Sequence, residues 1–301
     1  VSVSVPGSNA PGETIQSRWI QFKIPITQFE NKIGAISDFT SIRFMRMFLT
    51  GFQNDITIRF GALDLVRGEW RRYLNTLDPN ETTEQNNLDT TDFDVESVNI
   101  QENSERQPIR YVSPPGVVRE QLYNNNTLIN QNEQSLALRA SGTGLEPGDS
   151  RAVFKNVSVD MRQFKRLKMF LHAEALLTDN PAPLTNGEMA GFIRFGNDFT
   201  ENFYQVEIPL EVTQAGASIP ELVWPAGNEI DLALASLTEL KIESRNGGPL
   251  APGEIYYKQV GNLKIGVRGN PNFGLVRTLM VGVKNNTQTP TNPSGRPITG
   301  E

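Results

Sequence analysis

The stretch Arg43–Tyr73, RFMRMFLTGFQNDITIRFGALDLVRGEWRRY, decides the fold class. Within it Ile56, Ile58 and Phe60 alternate with Thr57 and Arg59, the period of a half-buried strand. After Gly61 the phase flips, because Leu63 and Leu65 become the apolar members and Asp64 the polar one. A flip at a glycine reads as a bulge or bend. Gly51 to Asp55 supplies a turn back to the apolar run Arg43–Leu49. The stretch therefore predicts an antiparallel strand pair with a bent continuation.

The design recurs along the chain. FMRMFL at Phe44–Leu49 matches RLKMFL at Arg166–Leu171, and IRFG at Ile58–Gly61 matches IRFG at Ile193–Gly196. VRTLM at Val276–Met280 is a fainter third copy. Two matches in the same order predict a duplicated β-unit, at a spacing suited to a small sandwich rather than a solenoid or propeller blade.

The bulk numbers narrow the function. With 301 residues the chain can bury a sizeable core, and its length suits about two domains. The 25 glycines and 19 prolines imply many loops. A formal charge of −6 and a pI near 5.1 disfavour nonspecific phosphate-backbone binding, so no nucleic-acid partner is expected. Cysteine is absent, which excludes disulfides and thiolate metal sites and suits an exported protein. No apolar run approaches the ~20 residues of a spanning helix. The opening VSVSVPGSNAPGET and the closing TGE look like cuts from something longer.

Outward from the organising stretch, residues 1–17 read as an extended segment. Trp19–Ile26 reads as a strand placed near an edge by Pro25, and Phe93–Ile100 as another. Thr76–Leu88 and the Asn-rich Tyr123–Gln134 read as loops, and Ile109–Val118 as a strand broken at Pro114-Pro115-Gly116. In the second half three strands alternate cleanly: Val157–Met161, Tyr204–Leu210 and Leu263–Val267. They predict sheets with one buried and one wet face. A helix is expected over Glu229–Leu237, capped by Asn228. The fold class is mainly β: two antiparallel β-sandwich domains of jelly-roll or galactose-binding-like type and one short helix. The expected division is 1–17 extended, 18–105 first sandwich unit, 106–284 second unit and 285–301 polar tail.

No motif carries catalysis. The single histidine, His172, follows an apolar strand, and without cysteine or a second histidine a zinc site would need three carboxylates. Glu69, between Gly68 and Trp70, is the best glycosidase carboxylate, yet RGEWRRY also reads as a strand whose Arg67, Glu69 and Arg71 pair on the solvent side. Asp89, Asp92 and Asp94 lack the spacing of a calcium loop. Arg162, Lys165, Arg166 and Lys168 form a small basic patch, read as a solvated face or salt-bridge partners. No catalytic, cofactor or metal residue is therefore assigned, and a non-enzymatic β-sandwich module is expected. Trp19, Trp70 and Trp224 discriminate the binding classes: on one rim they would stack on sugars, between sheets they would serve a scaffold.

Four long strings carry a family resemblance: Ile58–Tyr73 (IRFGALDLVRGEWRRY), Ile109–Gln121 (IRYVSPPGVVREQ), Asp149–Phe170 (DSRAVFKNVSVDMRQFKRLKMF) and Val267–Asn285 (VRGNPNFGLVRTLMVGVKN). They resemble the SprA/Sov family, the outer-membrane translocon of the type 9 secretion system of Bacteroidetes, tied also to gliding motility. The resemblance implies a very large β-barrel with domains inserted between barrel segments. It also implies partners: a shuttle protein (PorV), a plug protein and folded secreted cargo. The chain would be one insert at the outer membrane or cell surface. It would cap or brace the channel, or dock cargo and accessory proteins, without catalytic residues or cofactors. The alternative from a different class is a secreted carbohydrate-binding or adhesin-like module.

Overall fold

The computed structural model describes residues 2–6, 14–18, 20, 22, 24, 26, 31, 33, 45–54, 57–61, 70–75, 77, 91–119, 121–124, 127–130, 133–176, 181–247, 254–288, 292 and 294–301. Chain contacts divide it into Val1–Arg67 and Gly68–Glu301. In the first unit β1 (Ser2–Pro6) pairs antiparallel with β2 (Thr14–Arg18), so part of the segment expected to be simply extended is a strand pair.

The second unit supplies the remaining elements. In chain order they are β3 (Arg71–Arg72), β4 (Thr91–Asn99), α1 (Ile100–Asn103), β5 (Gln121–Asn124), β6 (Thr127–Asn130), β7 (Gln134–Leu145) and β8 (Ser150–Val159). Then come β9 (Arg166–Met169), β10 (Met189–Gly196), β11 (Phe203–Pro209), α2 (Pro220–Val223), β12 (Ile230–Ala233) and α3 (Leu234–Asn246). The last are β13 (Tyr256–Val260), β14 (Leu263–Arg268), β15 (Val276–Asn285) and β16 (Ile298–Gly300). A seven-stranded antiparallel sheet runs β13-β14-β11-β10-β15-β8-β3, and a three-stranded one runs β16-β7-β4. Pairs β12-β9 and β5-β6 complete the described set. The protein is mainly β and antiparallel, with short helices.

Several expectations change here. Residues 45–50 and 57–61 have no regular structure and are exposed, so the described part of the organising stretch does not form the expected strand pair. The second copy forms strands, though not paired with each other: IRFG lies in buried β10, RLKM is β9 and pairs with β12, and VRTLM lies in β15 beside β10. The difference is partners. Period-2 alternation specifies a face to bury, but a strand needs neighbours on both edges or a covering layer to become stable. The same holds for Trp19–Ile26, whose described residues Ile20, Phe22, Ile24 and Ile26 are exposed and irregular. Residue 105 falls between β4 and β7, which pair from Thr91↔Gly142 to Asn99↔Gln134. The Asn-rich loop holds the β5-β6 hairpin, whereas 109–118 is irregular. The polar tail contributes β16, whose Ile298 is fully buried.

The helix expected at 229–237 begins later. Ile230–Ala233 pairs with β9 as β12, and the apolar spacing continues into α3 through Leu234, Leu237 and Leu240. Asn228 caps nothing; it is buried and its amide clasps Glu211, accepting from the backbone N–H at 2.7 Å and donating to the carbonyl at 2.9 Å.

Strands β11 and β14 form as expected, whereas the run expected at Val157–Met161 is only the end of β8, with Met161 already in a 3-10 turn. Strand β11 is, however, buried on both faces. Tyr204, Val206 and Ile208 enter the main core, and Gln205 and Glu207 on the other face are 5% and 4% exposed. Arg194 Nε donates to Gln205 Oε1 at 2.6 Å, Gln205 Nε2 to Glu207 Oε1 at 2.6 Å, and Tyr257 Oη to the same oxygen at 3.0 Å. Each buried polar group thus recovers in protein what it lost in water. Burial lowers the Arg194 guanidinium to about 10 and raises the Tyr257 phenol. A buried polar ladder and a wet face have the same alternating sequence.

Candidate functional site

A cavity of about 320 Å³ lies among side chains of β7, β10, β15 and the segments 106–111 and 169–172. Its sheet-side wall includes Met189, Gly191, Val281 and Val283. Gly191 lets Leu171 approach closely: a Cβ there would stand 2.4 Å from Leu171 Cδ2 and displace that side chain. Leu136 and Leu138 of β7 form another wall.

Aromatic residues shape one side. Tyr111 meets Trp224 edge to face with centroids 6.3 Å apart, and His172 meets Trp224 at 5.9 Å. Each ring's polar atom is engaged elsewhere. Trp224 Nε1 donates to Val112 O at 2.8 Å, and Tyr111 Oη pairs with Ser135 Oγ at 2.8 Å. Burial raises the Tyr111 phenol to about 12, so it stays a neutral hydroxyl at physiological pH. His172 Nδ1 lies 2.7 Å from Val223 O, and Nε2 lies 3.4 Å from Glu174 Oε2.

One end of the cavity is a charged knot. Arg106 grips both oxygens of Glu174 at 2.8 and 2.5 Å and reaches Glu301 Oε2 at 2.9 Å. The hydrogen bond to Glu174 raises the Arg106 value further. Burial pushes the Glu174 carboxyl up, but hydrogen bonds from His172 and Arg106 outweigh it and hold the group below the ordinary value. For Glu301 burial wins over its share of Arg106, and the carboxyl is raised. The backbone fixes the pair, since Glu174 N donates to Glu301 O at 2.8 Å and Glu301 N to Glu174 O at 3.0 Å. The arrangement can hold an apolar body; it offers no nucleophile poised beside a free base.

Against known families, the model SprA_N, described as motility related/secretion protein, matches residues 2–296. The chain belongs to this SprA family. A search of curated proteins gave no match. No described helix of this SprA-family chain is long and apolar enough to cross a membrane, which leaves β-barrel crossing untouched.

The sequence-selected residues of the SprA-family chain fall in different places. Glu69, Asp89 and Trp19 lie outside the described residues. Asp92 and Asp94 are exposed, and Asp94 pairs with Arg72 at 3.3 Å. Among the described residues no group of three or more His, Cys, Asp or Glu side chains could hold a metal ion. Three members of the basic patch are ion-paired: Arg162 with Asp160, Arg166 with Asp231, and Lys168 with Asp231 and Glu229. Trp70 is half-buried under Lys155, 5.0 Å from its ring centroid, and Trp224 is 8% exposed. His172 and Trp224 meet at the cavity. Arg106, Glu174 and Glu301 had no sequence signal, because 68 residues separate Arg106 from Glu174.

Proposed function

We propose that this chain is a non-catalytic domain of the type 9 secretion outer-membrane translocon, capping or bracing the channel or docking cargo and accessory proteins. In this reading the β16-β7-β4 sheet stacks on the seven-stranded sheet as a sandwich, and PorV, the plug protein and secreted cargo are the partners. Family membership supplies the setting. The observation that carries the choice between classes is Trp224, buried and hydrogen-bonded to Val112 O. A sugar platform needs aromatic faces open to solvent. A buried, edge-on tryptophan with its N–H satisfied serves packing instead.

The test is affinity capture from outer-membrane extract of a type 9 secreting bacterium, with the 301-residue chain as bait beside a glycan array. Capture of PorV, plug or cargo with a blank array is the expected result. Saturable glycan binding with no translocon component captured would move the chain to the carbohydrate-binding class.

A further inference from the structure

We propose that the cavity beside Trp224 is a binding site for a single-chain anionic amphiphile, with its apolar body inside and its carboxylate or phosphate head at Arg110. The first support is size. The partly open cavity has about 320 Å³, within the range of small-ligand pockets. An apolar cavity of ~150 Å³ takes up benzene, so this one has room for about a dozen carbons by the same ratio.

The second support is the state of the polar wall atoms. Tyr111, Trp224, His172 and Arg106 all spend their polar atoms within the protein. Among the described residues the buried side-chain polar atoms without a partner are Glu133 Oε2, Arg268 Nε and Thr299 Oγ1, and none of those residues lines the cavity. The wall thus offers contact but few hydrogen bonds, which selects hydrocarbon or aromatic bodies over sugars and peptides with polar backbones.

The third support is charge. Arg110 lines the cavity, is exposed, and has no ion-pair or hydrogen-bond partner among the described residues. Arg106 cannot serve an anion, because Glu174 and Glu301 already occupy it. With Arg106 already answered by those two carboxylates, Arg110 is the arginine of the lining left to meet an anionic head. A guanidinium binds carboxylate and phosphate heads by the same paired hydrogen bonds.

The experiment is fluorescence titration of the 301-residue chain with 1-anilinonaphthalene-8-sulfonate, followed by displacement with dodecanoate, dodecyl phosphate, dodecanol and dodecyltrimethylammonium. One saturable site is expected, displaced by both anions and about tenfold less well by the cation. Arg110→Ser lies at an exposed position that folding does not need, and should weaken the anions about tenfold while sparing dodecanol. Competition between lauroyl lysophosphatidylglycerol and dodecanoate separates the sources: tighter lysolipid binding assigns the head to a membrane-derived lipid, and tighter dodecanoate binding assigns a free fatty acid. Non-saturable binding, equal affinity for the cation, or binding unchanged in Arg110→Ser would overturn the proposal.

Discussion

Replacing Arg106 by leucine should be among the most damaging single changes at the cavity. Arg106 holds both oxygens of Glu174, whose side chain is 4% exposed, and also Glu301 Oε2 at 2.9 Å. Removing one partner of a buried pair costs about 3–5 kcal/mol, mostly through the carboxylate left behind without compensation. Arg106 itself is a quarter exposed, so the lower end, about 3 kcal/mol at pH 7, is expected. For a domain of this size that is a fall of roughly 6–12 °C in Tm. Urea unfolding followed by tryptophan fluorescence and circular dichroism measures it. The pH dependence is the sharper check. In the native chain Glu174 is held below its ordinary value of 4.5, so its contribution is full above that pH and is lost as pH falls through the folded-state value. In Arg106→Leu the orphaned carboxyl takes up a proton readily, so acidification relieves the variant and the gap closes between pH 7 and 4. Adding Glu174→Leu should recover part of the loss, since it removes one orphaned carboxyl and leaves Glu301. A loss under about 1 kcal/mol, or an equal loss at both pH values, would refute this account of the knot.

Three further outcomes are expected. Gly282→Ala puts a Cβ 2.5 Å from both Arg151 O and Phe192 Cζ in mid-sheet, and should destabilise by about 1–3 kcal/mol in the same urea assay. Arg296→Lys should cost about 1–3 kcal/mol, because the guanidinium grips both oxygens of Glu188 and the carbonyls of Ala182 and Pro183, a fork that an ammonium cannot reproduce. In the native chain Glu188 and Asp198 join Glu174 below their ordinary values, burial being outweighed by Arg296 for Glu188 and by Asn202 and nearby backbone N–H groups for Asp198. The Tm should therefore hold above about pH 5 and fall on acidification through the lowered values, with raised Glu301 opposing part of the fall.

Alternation alone made the β class, the strands β4, β11 and β14 and the end of β8 legible, because successive residues of a strand face opposite ways whatever surrounds them. The long strings around Ile58, Ile109, Asp149 and Val267 carried the family. Of the site, the sequence singled out His172, weighed and declined as a metal ligand, and Trp70 and Trp224, weighed as a sugar platform.

The tertiary structure decided the rest. Alternation names the residues that share a face and is silent on what covers it. That is why Gln205 and Glu207 looked wet and are buried against Arg194 and Tyr257. The identical IRFG strings show the same limit: at Ile193 it is buried between β11 and β15, whereas the described residues of the first copy are exposed. The knot of Arg106, Glu174 and Glu301 joins residues far apart in the chain, and single arginines and glutamates carry no local mark of such pairing. Local sequence fixes direction and periodicity. Which side chains meet, and what space they leave between them, depends on how the strands are ordered in the folded sheets.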